Sequence, residues 1–402
     1  MKRIIQSLII IIITGFTTIQ SQTNDSIEVF FLTCNPGTEV YSIYGHSAVR
    51  VVIPEQNIDL VYNWGIFDFA TPNFIWKFSK GRLDYMIGTY SYSRFIEEYE
   101  YEQRSVYSQK INLNQKQKEN LLNLVNLNML PENRLYRYDF FYDNCATRIR
   151  DLLEKSIGKY LVYPKKDILN PPTFREKLTI AQKPLPWLNV GINLLIGLPG
   201  DKPTSFRERM FLPEDLMKNL SLTFVSEGNA ERPLLQEPVT IINFDPKITN
   251  KLFLLTPTFI FWMLLIFIVL LTWFRKSKTL RIIDLSYFFV FSILSGLMIF
   301  FTFFTDHMAM KMNLNIIWIN PVLIFCLLGL FFPRFGKSGF RIIFFTSLIF
   351  LWAIPFIPQY IDRTLIPLIL ILVVRSLDHS NFGYNPFKLI NRSAPKKYDK
   401  LI

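Results

Sequence analysis

Long apolar runs fill the C-terminal part of this chain, and they restrict its fold more than any other feature. Leu252 to Phe274 carries no charge, and Ile282 to Thr305 carries only Asp284, near one end. Met312 to Pro333 and Ile342 to Ile361 are also uncharged. Each run is close to the ~20 residues a helix needs to cross a bilayer, so each predicts a transmembrane helix. A fifth run, Thr364 to Val374, is short. It spans only if Arg363 and Arg375 snorkel to the headgroups or the bilayer thins locally.

Charge between the runs gives the orientation. Arg275, Lys276, Lys278 and Arg281 follow the first run, and Arg334, Lys337 and Arg341 follow the third. Arg375, Lys388, Arg392, Lys396, Lys397 and Lys400 lie toward the C-terminus, whereas the intervening loops hold only Lys311 and Arg363. Basic loops stay cytoplasmic, which favours five spans over four and places the region before residue 252 outside. The net charge of +12 is then largely topology, not a signal for nucleic acid. The basic tail is also suited to anionic lipid.

The N-terminus agrees with export. Met1-Lys2-Arg3 precedes an apolar core from Ile4 to Ile13, the pattern of a secretory signal, and no cysteine follows closely enough for a lipoprotein signal. The expected division is a signal peptide over 1–22, an exported domain over 24–225, a linker over 226–251, a transmembrane domain over 252–377 and a basic cytoplasmic tail over 378–402.

The exported part reads as α+β. Ile27 to Thr33, Ser47 to Ile53 and Leu60 to Trp64 predict strands, while Asn73 to Phe78 and Arg82 to Tyr90 alternate weakly. Ser93 to Tyr101 and Asn114 to Leu130 predict helices. Behind Cys145, the residues Ile149, Leu152, Leu153 and Ile157 repeat at helical spacing, with Asp143 or Asn144 as N-cap. Pro186 to Pro199 is unusually apolar for a loop, so it either packs in a core or dips into the outer leaflet to guide a lipid tail.

Two residues carry the chemistry. Cys145 stands at a helix start, where free N–H groups and the helix dipole favour a thiolate and can donate to an oxyanion. His46 enters a strand and can act as base and acid. A third polar group usually orients such an imidazole, and Asn63, with Asp68 second, is placed to do so. The alternative is structural. Cys34 and Cys145 are the exported region's only cysteines, so a disulfide between them is the competing expectation. Cys326 lies within a span and reads as a packing residue. One exported histidine and no paired-cysteine spacing argue against a metal site, and no phosphate loop or serine elbow occurs. His307, followed by Asn313, Asn315 and Asn320, is either interfacial or a polar site facing the exported domain.

Tyr44-Gly45-His46-Ser47-Ala48, Tyr62-Asn63-Trp64-Gly65-Ile66-Phe67-Asp68-Phe69 and Asp143-Asn144-Cys145-Ala146-Thr147-Arg148-Ile149-Arg150-Asp151 together resemble the Lnb N-terminal periplasmic domain family. The resemblance covers roughly residues 25 to 190. Its His-before-Cys order is similar to the circularly permuted NlpC-type papain-like fold, also used by lecithin:retinol acyltransferase. The family's membrane-bound members are implied to be lipoprotein N-acyltransferases of the bacterial inner membrane, and the five-span tail also looks like theirs. By that resemblance Cys145 is the nucleophile, His46 the base, and Asn63 the candidate third member. Asn144, Asp68, Tyr44, Arg148 and His307 become candidates for substrate contact. The implied partners are a phospholipid acyl donor and a lipoprotein acceptor, with no cofactor. The rival readings are a membrane-anchored cysteine peptidase or amidase acting on cell-wall peptides, and a non-catalytic envelope protein stapled through its cysteines.

Overall fold

The computed structural model describes residues 26–164, 169–228, 230–245, 252–274 and 277–380. The expected signal peptide and most of the basic tail lie outside the described residues. Strands β1 (Glu28–Cys34), β2 (His46–Ile53) and β3 (Ile58–Ile66) form an antiparallel meander. Between β2 and β3 the chain reverses at Asn57, whose φ of 53° suits asparagine, a residue that tolerates the left-handed region. Helix α1 (Phe74–Ser79), strand β4 (Asp84–Ser91), helix α2 (Tyr92–Tyr101), strand β5 (Val106–Lys110) and helix α3 (Gln115–Met129) follow. Strand β6 (Leu135–Arg137) then leads to helix α4 (Cys145–Ile157). Next come β7 (Leu161–Val162), α5 (Phe174–Gln182), α6 (Pro186–Leu195), α7 (Pro213–Ser221), β8 (Phe224–Glu227), β9 (Ala230–Pro233) and β10 (Val239–Ile242). Seven strands make one antiparallel sheet in the order β10-β5-β1-β2-β3-β4-β6, and β7-β8-β9 form a second.

Strand alternation gives the main sheet two buried faces. Phe31, Val49, Tyr62 and Trp64 pack against Leu121 and Val125 of α3 and Ile149 and Leu153 of α4. Leu32, Cys34, Ala48 and Val61 lie under Phe95 and Tyr99 of α2. Two expectations change here. Asn73 to Phe78 is helical, because Phe74 and Phe78, four apart, stack at 6.2 Å on one helix face. The expected linker over 226–251 is largely structured: β8 and β9 form a hairpin, and β10 extends the main sheet beside β5.

The membrane region holds α8 (Pro257–Phe274), α9 (Ser277–Phe303), α10 (Val322–Gly329), α11 (Pro333–Ala353) and α12 (Ile366–His379). Among the described residues, three helices are long and apolar enough to cross a membrane: most of α8, α9 and α11. The expected third span, Met312 to Pro333, is only partly α-helical. Asn320 accepts from Val322 N at 3.0 Å and donates to Ile317 O at 2.8 Å, and Pro321 interrupts the ladder, so α10 has 8 residues. The fourth helix starts before the expected Ile342. It begins at Pro333, takes Lys337 and Arg341 into its first turns, and stops ahead of Pro355 and Pro358. Arg375 does not snorkel. It is buried and donates to both oxygens of Asp284 at 2.6 and 2.7 Å and to Thr272 Oγ1 at 2.9 Å, while His379 Nε2 meets Asp284 Oδ2 at 2.7 Å.

Helix α6 joins the two halves. Val190 and Leu194 are buried among membrane-helix residues such as Leu265, Ile268 and Phe291. The apolar stretch therefore packs in two cores: Val190 and Leu194 in that of the membrane bundle, and Ile192 and Ile196 against Phe141, Phe174 and Phe211 of the exported domain. Asn313 Nδ2 donates to Leu194 O at 2.8 Å and Leu195 O at 2.9 Å, and Asn193 Nδ2 donates to Asp362 Oδ2 at 3.2 Å. A side chain at Gly197 would place its Cβ 1.9 Å from Lys311 O, so the contact between halves requires glycine there.

Candidate active site

Helix α4 begins at Cys145 because Asn144 caps it. The Asn144 side chain accepts from Ala146 N at 2.9 Å and Thr147 N at 3.0 Å, and Thr147 Oγ1 in turn accepts from Asn144 N at 2.7 Å. Its amide also donates to Phe140 O at 2.8 Å and Phe211 O at 3.0 Å. Asn144 lines the cavity that holds Cys145, with its side-chain oxygen and amide both engaged by the fold. The backbone N–H groups of Ser47, Ala146 and Cys145 surround the Cys145 sulfur and favour its thiolate form. Cys34, Cys145 and Cys326 are all free thiols, so the expected alternative of a Cys34–Cys145 disulfide is not formed.

His46 sits at the start of β2, opposite Cys34. Gly45, with φ of 78°, makes the preceding turn, where a Cβ would lie 2.7 Å from Cys34 O. Asn63 pairs with Ala48 across β2 and β3, so it shares a sheet face with His46 two residues earlier. The distance from His46 Nε2 to Asn63 Oδ1 is 3.1 Å, and Asn63 Nδ2 donates to Val61 O at 3.4 Å. The second bond fixes which way the amide points. Oxygen faces the ring, Nε2 carries the proton, and Nδ1 keeps its lone pair.

The electrostatics differ from the expected resting thiolate. Burial pushes the Cys145 thiol up to about 11, outweighing the N–H groups of Ser47, Ala146 and Cys145. Burial pulls His46 down to about 4; nearby Arg104 acts in the same direction, and the Asn63 bond opposes it. The pair rests as neutral thiol and neutral imidazole.

Cys145, His46 and Asn63 line one cavity of about 670 Å³. Its walls are mostly apolar and aromatic, including Phe67, Phe74, Phe78, Tyr138, Phe140 and Leu188. His307, Met308, Ala309 and Met310, from the loop after α9, complete it. His307 therefore faces the exported domain: its Nε2–H donates to Phe78 O at 3.1 Å. Tyr44 lines the cavity, and its hydroxyl accepts from Gln182 Nε2 at 2.7 Å. Asp68 is exposed and turns its carboxylate to Ala70 N at 2.8 Å, closing a turn rather than facing the dyad. Arg148 pairs with Asp143, covers the Tyr136 ring at 4.0 Å, and lines a separate cleft near Trp64 and Asn128. The structure does not bring these two to the cavity of Cys145 and His46.

Sequence reasoning missed Arg104 and the aromatic group at 67–78. Arg104 is 7% exposed, donates to Asn35 O at 2.8 Å and Glu102 Oε2 at 2.6 Å, and lines the cavity. No pattern marks a lone arginine between a helix and a strand, whereas four phenylalanines within twelve residues were a visible signal.

Residues 17–176 match the family model of the Lnb N-terminal periplasmic domain, and residues 248–385 match that of the Lnb transmembrane domain. No curated protein and no solved structure matches the chain.

Proposed function

Since the chain belongs to the Lnb family, with a periplasmic domain ahead of a multi-span membrane domain, we propose that it is a cysteine-dependent lipoprotein N-acyltransferase of the bacterial inner membrane. In this reading the exported domain is a permuted papain-like fold and all five apolar segments cross the bilayer, the third as α10 together with the helical turn Leu314–Ile317 before it. One observation carries the proposal. Cys145 and the His46–Asn63 pair share an apolar cavity whose wall is completed by a loop of the membrane domain. A peptidase of polar cell-wall peptides would need a polar groove, whereas an acyl chain fits this lining.

The dyad works by concerted proton transfer. Cys145 Sγ attacks the ester carbonyl of a phospholipid while its proton moves to His46 Nδ1. Backbone N–H groups at the start of α4 stabilise the developing oxyanion. The C–O bond breaks, His46 returns the proton to the leaving oxygen, and a lysophospholipid departs from the thioester. The α-amine of a diacylglyceryl lipoprotein then attacks the thioester carbon. The C–S bond breaks, and the amine's proton passes through His46 to the sulfur. Both substrates are held in the outer leaflet, so anchoring the enzyme there raises their effective concentration. Mass spectrometry of lipoprotein N-termini from cells with and without the protein tests this. The proposal expects a third acyl chain only when the protein is present, and it fails if N-acylation is unchanged by deletion.

A further inference from the structure

Helix α1 is a short element with two apolar sides. Phe74 and Phe78 stack at 6.2 Å, and with Phe67 and Phe69 they line the cavity that holds Cys145. Ile75 and Trp76 point elsewhere and are 78% and 56% exposed. A soluble domain rarely leaves such side chains together in water. The Trp76 ring lies 5.6 Å from that of Phe300, which is one turn inside the end of the spanning helix α9 at Phe303. The contact is pinned. Arg82 pairs with Asp306 at 2.7 Å, Asp306 N donates to Lys80 O at 2.9 Å, and His307 donates to Phe78 O. Helix α1 therefore sits level with the last turn of a membrane span, where tryptophan is favoured and lysine reaches the headgroups. Lys80 Nζ lies 4.8 Å over the Trp76 ring. The exposed face of α1 continues the lipid-facing surface of α9, where Ile293, Leu297 and Phe303 are exposed.

We propose that α1 is a membrane-immersed lip, over which an acyl chain of an outer-leaflet phospholipid passes between Phe74 and Phe78 on one side and Met308 and Met310 on the other to reach Cys145. The occupant is a lipid chain because the outer face of α1 is continuous with a surface that already faces lipid. This rests on the acyltransferase reading, and the test separates the two.

Full-length protein in phospholipid vesicles would carry a photoreactive benzophenone amino acid at Ile75 or, as control, at Tyr101, which is 91% exposed on α2. Irradiation should attach phospholipid at 75 and not at 101. Protein–protein adducts at 75 in place of lipid, or no lipid at all, would overturn the lip. In parallel, Ile75→Glu with Trp76→Glu should slow acylation of Cys145 by vesicle phospholipid roughly tenfold or more. Acylation by soluble p-nitrophenyl butyrate should be unchanged. Equal loss on both donors would also overturn the proposal. If the unmutated protein takes acyl groups from the soluble ester but never from phospholipid, the acyltransferase reading fails, and crosslinking at 75 still decides whether α1 lies in the bilayer.

Discussion

Asn63 determines how His46 can react before any substrate arrives. With Nε2 donating to Asn63, the proposed mechanism has Nδ1 take the thiol proton. Asn63→Ala frees the tautomer and the ring angle, so kcat for acyl-enzyme formation should fall on the order of 10²-fold with the fold intact, read by single-turnover kinetics and melting temperature. The resting state gives a second expectation. A thiol pushed up to about 11 does not become thiolate near neutrality, so alkylation of Cys145 by iodoacetamide should keep rising through the alkaline range. A plateau below neutral pH would show a preformed ion pair instead. His46 is pulled down to about 4, so it remains an unprotonated base above that value, and acylation should lose rate only as pH falls through it. Burial is the main cause of that low value; Arg104 adds to it, and Glu102 opposes it. Arg104→Gln removes the cation and leaves Glu102 without that partner, so both effects move the acid limb of the pH profile upward.

At the scale of elements, helix α6 shows what the sequence conveyed and what it did not. Its apolar composition marked Pro186 to Pro199 as unable to stay in water, but composition does not say which core receives it. The receiving surface comes from residues far along the chain, from Leu265 and Ile268 to Lys311 and Asn313. Asn313→Ala strips the bonds to Leu194 and Leu195 carbonyls and should destabilise the docking by about 1–3 kcal/mol, seen as a lower melting temperature of the full chain in detergent. An unchanged temperature would mean that the two halves do not depend on this contact. The local elements were more legible. Helix α4 carries its periodicity and cap within fifteen residues, and β1, β2 and β3 are short apolar runs bounded by turn residues, buried on both faces. Helix α1 was misread because six residues with aromatics at alternate positions suit either period, and only the stacking of Phe74 on Phe78 selects the helix. Strand β10 was missed because its residues are mostly exposed and its pairing with β5 is long-range. Within the site, Cys145, His46 and Asn63 were readable from motif and strand pattern. Asp68 and Arg148 were not distinguishable from the residues that line the cavity, since their position away from it follows from tertiary packing alone.

The whole molecule is an exported domain fastened to a helical membrane domain, with the cavity at their junction. Breaking the Asp284–Arg375 pair should disturb the bundle that supports this junction. Asp284→Asn leaves the buried guanidinium with only Asp378, at 3.3 Å, as a carboxylate partner, at a cost of up to about 3–5 kcal/mol, and the full chain should melt earlier in detergent. Little change would assign the pair no structural weight. The most direct test of the central claim is intact and peptide mass spectrometry of the full-length protein incubated with phospholipid vesicles and no acceptor. The account predicts one acyl group on Cys145, labile to hydroxylamine, absent from Cys145→Ala, and lost when a diacylglyceryl lipoprotein with a free α-amine is added. Transfer to the lipoprotein that proceeds with Cys145→Ala, or an acyl group held on any other residue, would contradict it.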